Sequence, residues 1–196
     1  MGETQAGGGG IIATRWDFPI VELRPLRNGS ARTVEEMIAG LPHNNPDITS
    51  ARFPRCQGGP AGKTVAGLLL VKPLGDREHE PTDSILRRLD AAGLAPEGLP
   101  QLALLKDHAD ELWAAGVYYV CALEANSVCW ASDGGYVVYL IPNPADRGFH
   151  LQWIGADTAG GTVAVRDEYR GDLNGQLWFL VRRKEPGEPG GAATSA

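Results

Sequence analysis

Residues 117–142, VYYVCALEANSVCWASDGGYVVYLIP, carry the reading that decides the fold. Val117 to Leu123, Ser127 to Ala131 and Tyr136 to Ile141 are short runs rich in β-branched and aromatic side chains. Such side chains fit a pleated, half-buried surface better than a helix. Between the runs stand Asn126 and Asp133-Gly134-Gly135, residue types that adopt the left-handed backbone conformations of tight hairpin turns. The same grammar continues outward. Phe149 to Ile154, Thr162 to Val165 and Gln176 to Arg182 are further runs, separated by Asn143-Pro144, Gly160-Gly161 and Asn174-Gly175. Six runs at this spacing predict an antiparallel meander that closes into a small irregular β-barrel or stacks as a sandwich.

Toward the amino end the pattern turns mixed. Asp17 to Leu26 reads as a strand interrupted by prolines, and Thr33-Val34-Glu35-Glu36 has the capping-box spacing that opens a helix carrying Val34, Met37, Ile38 and Leu41. Val65 to Val71 is a continuous aliphatic run, the signature of a strand buried on both faces. Thr82 is placed to cap a helix with Ile85, Leu86 and Leu89 on one face. Pro100 opens another, with Leu102, Leu105, Ala109, Leu112 and Trp113, closed by Gly116. The predicted class is α+β, mainly β, with two or three short helices. The predicted layout is a flexible head over 1–10, a single domain over 11–184 and a flexible tail over 185–196.

Composition narrows the function classes. With 196 residues, 43% hydrophobic and 21% charged, the chain is long enough for one packed domain. A net charge of −6 disfavours a broadly basic nucleic-acid coat or adhesion to anionic lipid. The longest apolar runs are far shorter than the roughly 18 residues of a spanning helix, so no membrane is expected. The glycine-rich start has no secretion signature, and Cys56, Cys121 and Cys129 are an odd number. Together these point to free thiols and a cytoplasmic location.

Chemical motifs are sparse. Gly59-Pro60-Ala61-Gly62-Lys63-Thr64 looks like the end of a phosphate-binding loop, but Gln57 stands where that loop needs its first glycine and a strand-like run follows. Cys121 and Cys129 with two histidines could complete a zinc site, yet no ligand spacing supports one. No cofactor and no enzymatic activity are expected, and an enzyme built on Cys121 or Cys129 is the least supported reading. The carboxylates Asp107, Asp110 and Glu111 read as a solvated helix face, and Asp167, Glu168 and Asp172 pair naturally with Arg166 and Arg170. Arg182-Arg183-Lys184 stands out: three adjacent cations at the exit of the last strand of an acidic chain could hold a phosphate backbone, although the residues alone favour a solubilising strand end beside an acidic tail.

The order of elements resembles a known family. A strand, the capped helix at Thr33 to Leu41, Leu68-Leu69-Leu70-Val71-Lys72-Pro73 and the Leu99-Pro100 step precede Leu104-Leu105-Lys106. The meander Val117 to Pro142 and the closing strand Leu177 to Lys184 complete a series similar to the first non-structural protein of betacoronaviruses, the leader protein. The resemblance implies a small barrel with a helix across its mouth and a non-enzymatic host-shutoff factor. Its partners would be the small ribosomal subunit and mRNA, with Arg182, Arg183 and Lys184 as RNA-binding residues. The chain departs from that family in placing Ser132 where a basic residue precedes the Gly-Gly turn, in the insertion Phe149 to Gly175, and in having no room within 185–196 for the family's helical hairpin. The alternative expectation, favoured by composition, is a bacterial partner-binding protein of immunity or accessory type, whose acidic surface meets a basic protein.

Overall fold

The computed structural model describes residues 18–73, 82–131, 134–155 and 177–188. The expected strand at Thr162 to Val165, the charged cluster around Asp167, the head and the tail beyond 188 lie outside them.

Among the described residues ten strands fall into two sheets. The small one pairs β2 (Leu26–Arg27) with β3 (Thr64–Val65). The large one contains β1 (Ile20–Glu22), β4 (Leu68–Val71), β5 (Leu94–Pro96), β6 (Tyr119–Cys121), β7 (Val128–Ala131), β8 (Gly134–Ile141), β9 (Gly148–Gly155) and β10 (Leu177–Arg183). Strand β10 is central. One edge pairs antiparallel with β4, which in turn holds β1. The other edge is shared, with Leu177 to Phe179 running parallel to β6 and Val181 to Arg183 antiparallel to β5. Strand β8 has the same arrangement, meeting β6 and β7 on one edge and β9 along its whole length on the other. Three short strands thus fill one column between β10 and β8.

The class is α+β, mainly β, as expected, but among the described residues the sheet does not close into a barrel. The runs from β7 to β9 do form a meander. The barrel expectation fails at β6 and β10, which pair in parallel and so are not successive turns of one ribbon.

The period of two along each strand divides the core between two faces. Leu68, Leu70, Val120, Val138, Leu140, Trp178 and Leu180 pack on one face. They lie under α1 (Val34–Ile38), α3 (Leu99–Ala103) and the side chains of Ile48, Phe53 and Leu112. Leu69, Val71, Val137, Tyr139, Phe179 and Val181 pack on the other, against Ile85 and Leu89 of α2 (Thr82–Ala91). Covering both faces explains why β4 is buried at all four positions and reads as an unbroken aliphatic run. That run is shorter than expected because Gly67, at φ +74°, bends the chain between β3 and β4.

The capping box forms as read: Glu36 N–H donates to Thr33 Oγ1 at 3.2 Å and Thr33 N–H donates to Glu36 Oε2 at 3.1 Å. Lys106 closes the other end of α1, donating to the carbonyls of Met37 and Ala39 at 2.8 and 2.9 Å. The single helix expected from Pro100 is broken. It comprises α3, a 3-10 turn over Leu104–His108 and α4 (Ala109–Ala114), with Leu99, Leu102, Leu105 and Leu112 still sharing the buried side. Thr82 begins α2 but its buried hydroxyl makes no hydrogen bond, so it does not cap the helix. No described helix is long and apolar enough to cross a membrane.

Candidate functional site

The three cations singled out at the end of the last strand are separated by the strand's own alternation. Arg182 follows Leu180 onto the face covered by α3, whereas Arg183 follows Phe179 and Val181 onto the face covered by α2. They do not form one patch.

Arg182 is enclosed by carboxylates. Its Nε lies 3.0 Å from Glu97 Oε1, and Nη1 and Nη2 donate to the two oxygens of Glu188 at 2.7 and 2.5 Å. This is the bidentate, planar match of guanidinium to carboxylate. The Arg182 hydrogen bonds hold the Glu188 carboxyl down to about 2. Burial pushes Glu97 upward, with the like charges of Glu124 and Glu188 adding to the shift and Arg182 opposing it. Lys184 is ion-paired with Asp90 of α2. Arg183 alone is exposed and has no ion-pair partner among the described residues.

Glu188 reaches Arg182 because Glu185-Pro186-Gly187-Glu188 is a reverse turn. Pro186 presets the first corner, Gly187 takes φ +89° at the second, and Glu188 N–H closes the turn on the Glu185 carbonyl at 3.1 Å. The start of the expected flexible tail is therefore a folded turn. Together with Arg182 it lines a shallow, open depression.

Glu97 is placed by main-chain bonds on both sides. Its N–H donates to Leu180 O at 2.9 Å, and its carbonyl accepts from Glu124 N–H at 3.2 Å. Next to it, Gly98 begins α3 without a side-chain cap. Ser127 supplies one from another segment, its Oγ accepting Leu99 N–H at 2.7 Å. A Cβ on Gly98 would stand 2.6 Å from that oxygen and 2.7 Å from Glu124 Oε2, so any side chain there would displace the Ser127 cap and the Glu124 carboxylate. Cys56 donates to Asn126 O at 3.2 Å behind this layer, with its thiol shifted upward by burial. Cys121 is fully buried and shifted upward more strongly for the same reason. Neither is poised as a nucleophile.

The other sequence candidates resolve into structure. The Gly59–Thr64 segment is a turn stitched by Asn28, which accepts from Gly62 N–H at 2.8 Å, and β3 follows it where a phosphate loop requires a helix. Asp110 pairs with Arg147 and Glu111 with Arg24, which also contacts His108 Nδ1 at 2.9 Å. Among the described residues no group of three or more His, Cys, Asp or Glu side chains is arranged to hold a metal ion. Lys and Arg balance Asp and Glu among the described residues, so the net −6 belongs to residues outside them.

Asp90, Glu97 and Glu188 were missed as partners of the cations. Glu188 had a signal, since Pro-Gly three residues into a strand exit turns the chain back on itself. Asp90 and Glu97 had none: the pairing of β5 with β10 brings Glu97 near, and the turn after α2, whose Gly93 O accepts Lys184 N–H, brings Asp90. Comparisons with family models, curated proteins and solved structures gave no match to this chain.

Proposed function

We propose that this is a non-enzymatic partner-binding protein of the immunity or accessory type, that its contact surface is the end of the sheet where β10 leaves it, and that its partner is a basic protein. One observation carries this reading: Glu97 and Glu188 hold the single guanidinium of Arg182, exposed Glu185 acts on it as well, and Glu124 stands near Glu97. One cation does not balance them, and a partner's lysine or arginine side chains would. Association would then be salt-sensitive, because the contact is near the surface. The test is the affinity of the purified chain for a basic partner protein, compared with Glu124→Gln/Glu185→Gln across a salt series. Weaker binding by the variant and a falling affinity with salt support the reading. An affinity indifferent to both overturns it.

A second reading, the leader-type shutoff factor acting on the small ribosomal subunit and mRNA, draws support from exposed Arg183 beside Lys184. Arg182 and Lys184 are held by carboxylates, which leaves less free positive charge than three adjacent cations suggest. Adding the protein to a mammalian translation extract and sedimenting the ribosomes tests it. Inhibition weakened by Arg183→Ala/Lys184→Ala supports the reading, and a full translation yield with no sedimenting protein removes it.

A further inference from the structure

We propose that Arg182 and Glu188 are positioning residues of the β10 exit, and that the carboxylate they hold out to a cationic protein segment is that of Glu185. The inference deepens the reading above and rests on it: the exit is the contact surface and its partner is a basic protein.

Hydrogen bonds sort the carboxylates of the exit by availability. Glu188 is fully occupied. Its Oε1 accepts from Arg182 Nη2 at 2.5 Å, and its Oε2 accepts both from Arg182 Nη1 at 2.7 Å and from Glu185 N–H at 3.2 Å. Glu97 is only 12% exposed and is engaged at Arg182 Nε. Glu124 accepts from Asn126 Nδ2 at 2.6 Å. Glu185 differs from all three. Its side chain is exposed and makes no hydrogen bond or ion pair among the described residues, and it acts on Arg182 only through space. It is therefore the carboxylate at the exit that is left to meet an incoming ammonium or guanidinium group.

Glu185 is held in place by a chain of contacts rooted in the sheet. Main-chain bonds to Leu180 and Glu124 fix Glu97, and Glu97 takes the Nε side of Arg182. The Nη1–Nη2 edge is then oriented to receive both oxygens of Glu188. Glu188 in turn fastens both ends of the turn: its N–H donates to Glu185 O at 3.1 Å, and its carboxylate accepts the Glu185 N–H. These reciprocal bonds order the backbone of Glu185 before a partner arrives, so association does not bear that ordering cost. The depression lined by Arg182, Glu185, Pro186, Gly187 and Glu188 leaves room for the partner's side chain beside it. Arg182 thus serves a cation-binding surface in spite of its own charge, which Glu97 and Glu188 already match.

Two variants of the full chain test the positioning without altering any charge. Arg182→Lys loses the bidentate match to Glu188, and Gly187→Val strains the turn at φ +89°. The probe is a fluorescent octalysine peptide, read by anisotropy across a salt series, alongside hydrogen exchange of the Glu188 amide and the urea midpoint. Each variant should bind about threefold more weakly than the parent chain, the scale of one exposed ion pair. Glu185→Gln should lose as much, and adding it to Gly187→Val should lose nothing further, because both remove the same contact. The Glu188 amide should be protected in the parent chain and unprotected in Gly187→Val, with the urea midpoint unchanged. If Glu185→Gln weakens binding while Arg182→Lys and Gly187→Val bind as the parent does, the contact surface stands and the positioning role is overturned. Additive losses or an unprotected Glu188 amide in the parent overturn it equally. A parent chain that does not bind the peptide, or binds it with an affinity indifferent to salt and to Glu185→Gln, removes the surface reading itself and this inference with it.

Discussion

Gly148 packs so closely against His43 that a Cβ at 148 would lie 2.0 Å from the His43 carbonyl oxygen. The contact fastens the loop after α1 to the first residue of β9, where His43 N–H also donates to Arg147 O at 3.2 Å. Both neighbours are backbone and cannot swing aside. Gly148→Ala is therefore expected to cost about 1–3 kcal/mol, the usual range for overpacking. Gly40, with open space around it, isolates the steric cause, since alanine there meets only the strain of φ +94°. Urea midpoints of the two variants make the comparison.

Asn44 extends the same junction. Its amide donates to Ile38 O at 2.7 Å and Leu41 O at 3.2 Å, and its Oδ1 accepts Phe149 N–H at 3.0 Å. Alanine leaves all three without partners at a half-buried position, a loss of about 1–3 kcal/mol. Denaturant unfolding should show it. Leucine at 44 should do no better, because the loss comes from the missing hydrogen bonds and not from missing volume.

Glu35 predicts the acid limb of the stability curve. Ser50 donates to it from its hydroxyl at 2.6 Å and from its backbone at 2.8 Å, and these bonds lower its carboxyl from 4.5 to about 2. As pH falls the unfolded chain takes up the proton first, so the contribution of Glu35 is complete above 4.5 and is lost between there and about 2. Glu35→Gln should flatten that part of a urea-midpoint profile. Some slope will remain, because Glu188 titrates in the same window.

The thiols should react in order of access. Cys129 is partly exposed, whereas Cys56 and Cys121 are buried and shifted upward. A thiol-specific chromogenic reagent should modify Cys129 first in the native protein and reach the other two only on unfolding. Fast native reaction at Cys121 would contradict its placement on the inner face of β6.

Much of the fold was legible where the cause is local. The capping box at Thr33, the hairpins from β7 to β9 and the doubly buried β4 all depend on neighbours in sequence. What was not legible depends on distant pairing. Leu94-Ala95-Pro96 has the look of a loop and becomes β5 only because β10 offers Val181 to Arg183 as a partner. The parallel meeting of β6 and β10 leaves no mark in either segment, and so the meander was read as closing on itself. The same holds at the candidate site. Three adjacent cations look like one cluster until pleating places Arg182 and Arg183 on opposite faces and tertiary contacts bring in Glu97 and Asp90.

The position of β10 has a bearing on how the protein is made. Of the strands among the described residues it is the last to leave the ribosome, yet β4, β5 and β6 all pair with it. Until it emerges, β4 presents an open edge, and so do β5 and β6, a state that invites association between nascent chains. The sheet is completed only after synthesis has passed residue 183, so its strands cannot finish pairing before that segment is made. The pairing that completes it bridges more than a hundred residues between β4 and β10, which marks this protein as a slow folder with a strong claim on chaperones.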